Sequence, residues 1–195
     1  MIPTRTTLAP EHEALLEPQL EQVSLSPETL ALLSARAART VGRGPTAHGG
    51  RVEDEVRVRL LLAATRDVDA ATAARVATDL YTDGDADERR AVLLALPALD
   101  VGPRGVPLLL DALRTNDVRL VAAAMGAYAA EHLDDEAWRH GVLKCLFTGV
   151  PTDAVVDLDR RRDAELDRMV DAYVREREAA GREIPDDARS LLGAR

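Results

Sequence analysis

The chain has 195 residues, 46% hydrophobic and 30% charged, enough apolar material for one sizeable core and too much for disorder. Its formal net charge of -9 argues against nucleic acid or an anionic membrane as principal partner. A single cysteine excludes an internal disulfide and fits a reducing cytoplasm.

The opening segment, Met1 to Leu20, has no apolar run of signal-peptide type and is interrupted by Pro3, Pro10 and Pro18. The longest apolar runs, around Val92–Leu99 and Leu120–Ala130, fall far below the roughly 18–20 residues that cross a bilayer. Direct membrane insertion is therefore not expected. Ser26-Pro27-Glu28 supplies a cap, a first-turn proline and a carboxylate before Leu30, Leu33 and Ala37, so a helix is expected up to Val41-Gly42. The Gly-rich stretch 42–50 reads as a flexible loop, the place for a lid.

Beyond it, helix patterns run through Glu53–Arg66, Asp69–Thr82, Asp87–Leu99, Val106–Arg114, Asp117–Leu133, Asp135–Thr148, Ala164–Ala180 and Pro185–Leu192. Asp69, Asn116, Asp134 and Asp163 stand where N-caps belong, and Gly84, Gly149 and Gly181 where helices should stop. The fold class is all-α. Similarity between Glu88–Leu99 and Asp117–Tyr128 suggests a HEAT-like array of antiparallel helix pairs, with a closed helical bundle as the alternative. One α-helical domain over residues 1–195 is expected.

The stretch Glu136–Pro151 holds the chain's sole Trp, Lys, Cys and Phe. At helical spacing Trp138, Gly141, Val142, Cys145 and Leu146 share one face. His140, Leu143, Lys144 and Phe147 form an adjoining stripe. Trp138 and Phe147 read as paired core anchors, and Cys145 as filling between them.

Lys144 is the residue that packing does not explain. It can snorkel to water along its stem, pair with a carboxylate, or serve as an acid-base or imine-forming amine. In the last two cases Asp159 is its expected carboxylate, with His140 tuning it. "DLDRRRD" reads first as a solvated, salt-bridged turn; in its functional reading Arg160 or Arg161 would hold an anionic substrate group. Arg114-Thr115-Asn116 ends one helix and caps the next, or aims Arg114 into the same concavity. His12, His48, His132 and His140 have no metal-ligand spacing, and no phosphate-cradle or nucleophile-elbow motif occurs, so no metal and no cofactor are expected.

The segment Arg114 to Gly193 resembles the EboA domain family of bacterial proteins. The resemblance is carried by Arg114-Thr115-Asn116, Tyr128, His132-Leu133-Asp134, Trp138, Val142-Leu143-Lys144 and Phe147-Thr148-Gly149-Val150. It continues through Leu158-Asp159-Arg160-Arg161, Glu165-Leu166-Asp167-Arg168-Met169, Tyr173, Glu176-Arg177 and Gly181-Arg182. Arg139-His140 replaces a polar pair, and Glu178 and Ala188 stand where tryptophans are usual, which makes the chain a divergent member.

The resemblance implies a cytoplasmic accessory protein of a bacterial specialised-metabolism gene cluster, with a polar small metabolite or a pathway enzyme as partner. It adds Tyr128 and His132 to the expected binding residues. A small enzyme using Lys144, or a purely structural subunit, remain the alternatives. Trp138, Tyr128, Lys144 and Asp159 are expected to converge on one concave site.

Overall fold

The computed structural model describes residues 8–47 and 49–193. It is 76% helical, with twelve α-helices and no strand among the described residues. The chain divides into two compact units, residues 1–108 and 109–195, where the sequence suggests one domain.

In the first unit, α1 (Pro10–Leu25) was not legible as a helix, because its prolines read as breaks. Pro10 stands at the first turn, where its missing N–H costs nothing, and Pro18 lies on the exposed side. Burial of Leu16 and Val23 holds the helix down. α2 (Leu30–Thr40), α3 (Val52–Ala64), α4 (Ala70–Asp83) and α5 (Ala86–Ala95) follow. α3 lies against α1, α2 and α5, which explains why nine of its 13 residues are buried rather than one stripe of them.

Charged side chains buried with α3 reach polar partners, although Arg57 Nη1 and Arg90 Nε have none among the described residues. Arg90 of α5 reaches Asp54 at 2.7 Å, Ser34 Oγ donates to Glu88 at 3.0 Å, and Arg57 Nε donates to the Ser34 carbonyl at 3.2 Å. The loop 42–50 is tied at several points. Gly44 N–H donates to Glu53, Val52 N–H to the Gly44 carbonyl, and Thr46 N–H to the Gly50 carbonyl. Burial works to raise the Glu53 pKa, but hydrogen bonds from its own amide and Gly44, with Arg51 beside it, hold the carboxyl below its ordinary value. His48, expected to be no ligand, lies outside the described residues.

α6 (Val106–Arg114) spans the division between the units. In the second unit the expected helix Asp117–Leu133 is two helices, α7 (Val118–Ala124) and α8 (Ala127–His132). The break falls at Met125-Gly126, and Met125 O accepts the Val156 amide from a distant turn instead of continuing the helix. The α7 cap is Asp117, which accepts from the Arg119 amide, and not Asn116. Asn116 is thereby free for another contact.

α9 (Asp135–Thr148) begins under Asp134, whose carboxylate accepts the Ala137 N–H, and ends at Gly149 with φ 74°. Gly141 lies at a close approach, where a Cβ would force the end of the buried Met125 side chain to shift. α10 (Leu158–Arg161), α11 (Ala164–Ala179) and α12 (Asp186–Gly193) complete the unit, with α11 packed on α9 and α12.

Candidate functional site

α9 presents two faces, as its sequence suggests. Trp138, Gly141, Val142, Cys145 and Leu146 are buried. The thiol of Cys145 is fully enclosed, and burial pushes its pKa up to about 12. A thiol so shifted is not a nucleophile at neutral pH. Phe147 does not pair with Trp138 in the core. It is 58% exposed and stacks on Tyr173, with ring centroids 4.8 Å apart. As the last aromatic before the αL cap, it sits on the outer stripe with Lys144, one turn back.

Lys144 lies on that stripe, half-buried. Its Nζ donates to Asn116 Oδ1 at 2.9 Å, and the residue makes no ion pair among the described residues. The missed cap explains this contact. Because Asp117 caps α7, the Asn116 amide can turn to α9.

Around the pair is a groove of about 500 Å³, wholly within the second unit. α6 contributes Leu110, Leu113 and Arg114, and α9 with its cap contributes Asp134, Glu136, Ala137, His140, Gly141 and Lys144. His140 is oriented through Nδ1, 2.9 Å from the Glu136 carbonyl. A carbonyl only accepts, so Nδ1 carries the proton and Nε2 of the neutral ring is an acceptor.

The expected site residues fall into three groups. Lys144, His140, Arg114 and Asn116 belong to the groove or its rim. Trp138, Tyr128, His132 and Arg161 form a packed cluster. Trp138 and Tyr128 are buried, and the His132 ring lies 4.4 Å from that of Tyr128. Arg161 stacks over Trp138 at 4.8 Å and donates to the carbonyls of Ala129, Ala130 and Leu133 and to Asp135. That is how the end of α8 is satisfied.

Asp159 and Arg160 form the third group, exposed on α10. Arg160 pairs with Asp157 at 2.6 Å, and Asp159 makes no ion pair with Lys144. The expected convergence of Trp138, Tyr128, Lys144 and Asp159 on one concavity is therefore not found. The tight turns after α9 return the chain to the carbonyl end of α8, and they bring Arg161 there and not Asp159 to the lysine.

Sequence reasoning passed over Asp134 and Glu136, which it treated as helix-start acids only. A signal was present, since Glu136, His140 and Lys144 are spaced i, i+4 and i+8 and so share a face. Leu110 and Leu113 carried no such signal. The groove contains no metal cluster, and no group of three or more His, Cys, Asp or Glu able to hold an ion occurs among the described residues.

The groove combines an ammonium with donors to spare, a guanidinium, a carboxamide, an imidazole acceptor and two carboxylates over an apolar floor. Such a set suits recognition of a small polar molecule. No helix among the described residues is long and apolar enough to cross a membrane. A family model described as "Metabolite traffic protein EboA" matches residues 20–193. No curated protein and no solved structure matches.

Proposed function

Because the chain belongs to the EboA family, we propose that it is an accessory binding protein that holds a small polar metabolite, without covalent chemistry, in the groove between α6 and α9. One observation carries the reading. The only lysine of the chain is held by a neutral amide oxygen, Asn116 Oδ1, and keeps its charge uncommitted at the rim of a groove. A surface lysine with no role beyond solubility has no reason to be fixed in this way, since ordering its stem costs rotamer freedom.

Within this proposal the protein works in the cytoplasm of a bacterial specialised-metabolism pathway and delivers its ligand to, or protects it for, a pathway enzyme. The family's description as a metabolite traffic protein supports the metabolite-handling part of this reading. The alternative of an enzyme that uses Lys144 as an acid-base or imine-forming group has less support. Asp159 does not stand beside the amine, and His140 Nδ1 is committed to a backbone carbonyl.

The test is retention. The purified chain is equilibrated with the small-molecule extract of its source cells, separated by rapid gel filtration, and its bound fraction analysed by mass spectrometry. The proposal expects a component retained by the wild type and by Lys144→Arg but lost in Lys144→Met. Equal retention by the wild type and Lys144→Met moves the site away from the groove. Retention of nothing leaves the structural-subunit reading. A component chemically altered by the wild type alone establishes the enzyme.

A further inference from the structure

The groove is polar in the literal sense. Asp134 and Glu136 stand at the start of α9 and Lys144 eight residues beyond Glu136, about 12 Å along the axis at about 1.5 Å per residue. Arg114, the last residue of α6, lines the same groove, and Asn116, two residues further on, holds the lysine. Neither Arg114 nor Lys144 is in an ion pair among the described residues, and neither Asp134 nor Glu136 neutralises them. Opposite charges that share one concavity yet remain unpaired have not been arranged to stabilise the fold by mutual attraction. The rest of the lining is Leu110, Leu113, Ala137, Gly141 and His140, whose Nε2 is an acceptor.

The geometry points to a ligand of defined polarity. It is a small molecule bearing an anionic group, phosphate or carboxylate, that docks on Lys144 and Arg114. It also bears ammonium or hydroxyl donors, which meet Glu136 and Asp134 at the other end. The physical basis is the difference between the two ends. Lys144 retains two N–H groups after serving Asn116, and Arg114 adds a planar fork, so an oxyanion can accept from both. Asp134 gives one oxygen to the Ala137 amide and has acceptor capacity left, and Glu136 is exposed and unpaired. A neutral polyol would satisfy the acidic end alone, and a simple anion the basic end alone. This assignment rests on the binding reading above and narrows it to a class.

The sole lysine makes the test direct, because chain labelled with ¹³C at lysine Cε gives one side-chain signal, that of Lys144. The probes are glucosamine 6-phosphate, glucose 6-phosphate, glucosamine 6-sulfate as a weaker oxyanion, glucuronate, glucosamine and inorganic phosphate, all at matched ionic strength. Glucosamine 6-phosphate should shift the signal along a saturable curve, with affinity at least tenfold above glucosamine or inorganic phosphate. Whichever of glucose 6-phosphate and glucuronate binds tighter identifies the oxyanion as phosphate or carboxylate. Arg114→Ala, followed through the same signal, should weaken glucosamine 6-phosphate at least tenfold. Glu136→Gln should weaken it several-fold while leaving glucose 6-phosphate within twofold.

Equal affinity for glucosamine and glucosamine 6-phosphate overturns the polarity. So does a shift that never saturates and is matched by sodium chloride. A null result with every probe also overturns it. In that case retention of an extract component by the wild type but not by Lys144→Met still upholds the binding reading. The two claims therefore fail separately.

Discussion

Arg160 and Arg161 are neighbours with the same side chain, and both were candidates for ligand binding from sequence, yet the structure gives them opposite weights. Arg161 is 9% exposed in its side chain and Asp135, its carboxylate partner, 74% exposed. Replacing Arg161 by Ala returns Asp135 to water at little cost. The carbonyls at the end of α8 behave differently. Ala129 O also accepts the Leu133 amide, but Ala130 O and Leu133 O have Arg161 as their donor, and both residues are buried.

Two buried acceptors left without a partner cost about 1–3 kcal/mol each, and loss of the cation–π contact with Trp138 about 0.5–2 kcal/mol more. Allowing for relaxation, Arg161→Ala should destabilise the second unit by about 3–5 kcal/mol. Arg161→Lys recovers only part of this, because one ammonium cannot reproduce a fork reaching three carbonyls over an indole. Arg160→Ala removes an exposed pair with Asp157 and should change stability by less than about 0.5 kcal/mol.

Urea denaturation followed by the fluorescence of Trp138, the sole tryptophan, measures all three. With a slope of about 1–3 kcal/mol per molar, Arg161→Ala should move the midpoint by more than about 1 M and Arg160→Ala hardly at all. A stable Arg161→Ala protein that has lost its ligand would refute this assignment and return Arg161 to the binding site.

Lys144→Met removes one charge-assisted but solvent-accessible hydrogen bond, so it should cost no more than about 1 kcal/mol in the same titration. A loss of about 3–5 kcal/mol would reveal a buried carboxylate partner. Cys145 should react with thiol reagents slowly in the native protein even at pH 9, and fast once urea unfolds it, because burial pushes its pKa up to about 12. Native labelling within seconds would show that α9 opens. The Arg139 side chain hydrogen-bonds Asp163 and holds that carboxyl below the usual range. A carboxyl depressed on folding contributes stability that is present above its unfolded pKa, roughly 3.9, and lost as pH falls through the lower folded value. Asp163→Asn keeps a capping side chain but not the charge, so its stability should fall less steeply than the wild type's between roughly pH 5 and pH 3. Parallel curves would show that the pair contributes nothing on folding.

The helices were legible wherever a cap and a 3.6-residue period coincided. Asp69, Asp134 and Asp163 do cap α4, α9 and α11. α1 was hidden because Pro18 lies inside the helix and reads as a break; the bond it cannot make to the Ala14 carbonyl is lost on the exposed side, where water replaces it, and burial of Leu16 and Val23 holds the helix. The break between α7 and α8 had Gly126 as its one local signal, since Ala-rich sequence runs on both sides of it, and the competing partner, Val156 N–H, comes from far along the chain. The same limit governs the site. Both faces of α9 could be read from spacing within one helix, down to the buried set that includes Trp138 and Cys145. Which residue meets Lys144 could not, because Asn116 and Asp159 were both available and only tertiary geometry chooses between them. Arg161 was mistaken for a ligand residue because an arginine that satisfies carbonyls and one that awaits an anion look identical in sequence.

The measurement that most directly tests the central claim is intermolecular nuclear Overhauser contact between the retained metabolite and the ¹³C-labelled side chain of Lys144 and the amide of Gly141. Contact is expected at both positions in the wild type and should disappear in Lys144→Met with the fold intact. Contacts that instead map to the first unit, for example to the groove lined by Arg59 and Leu62 of α3 and by Asp100, would contradict it.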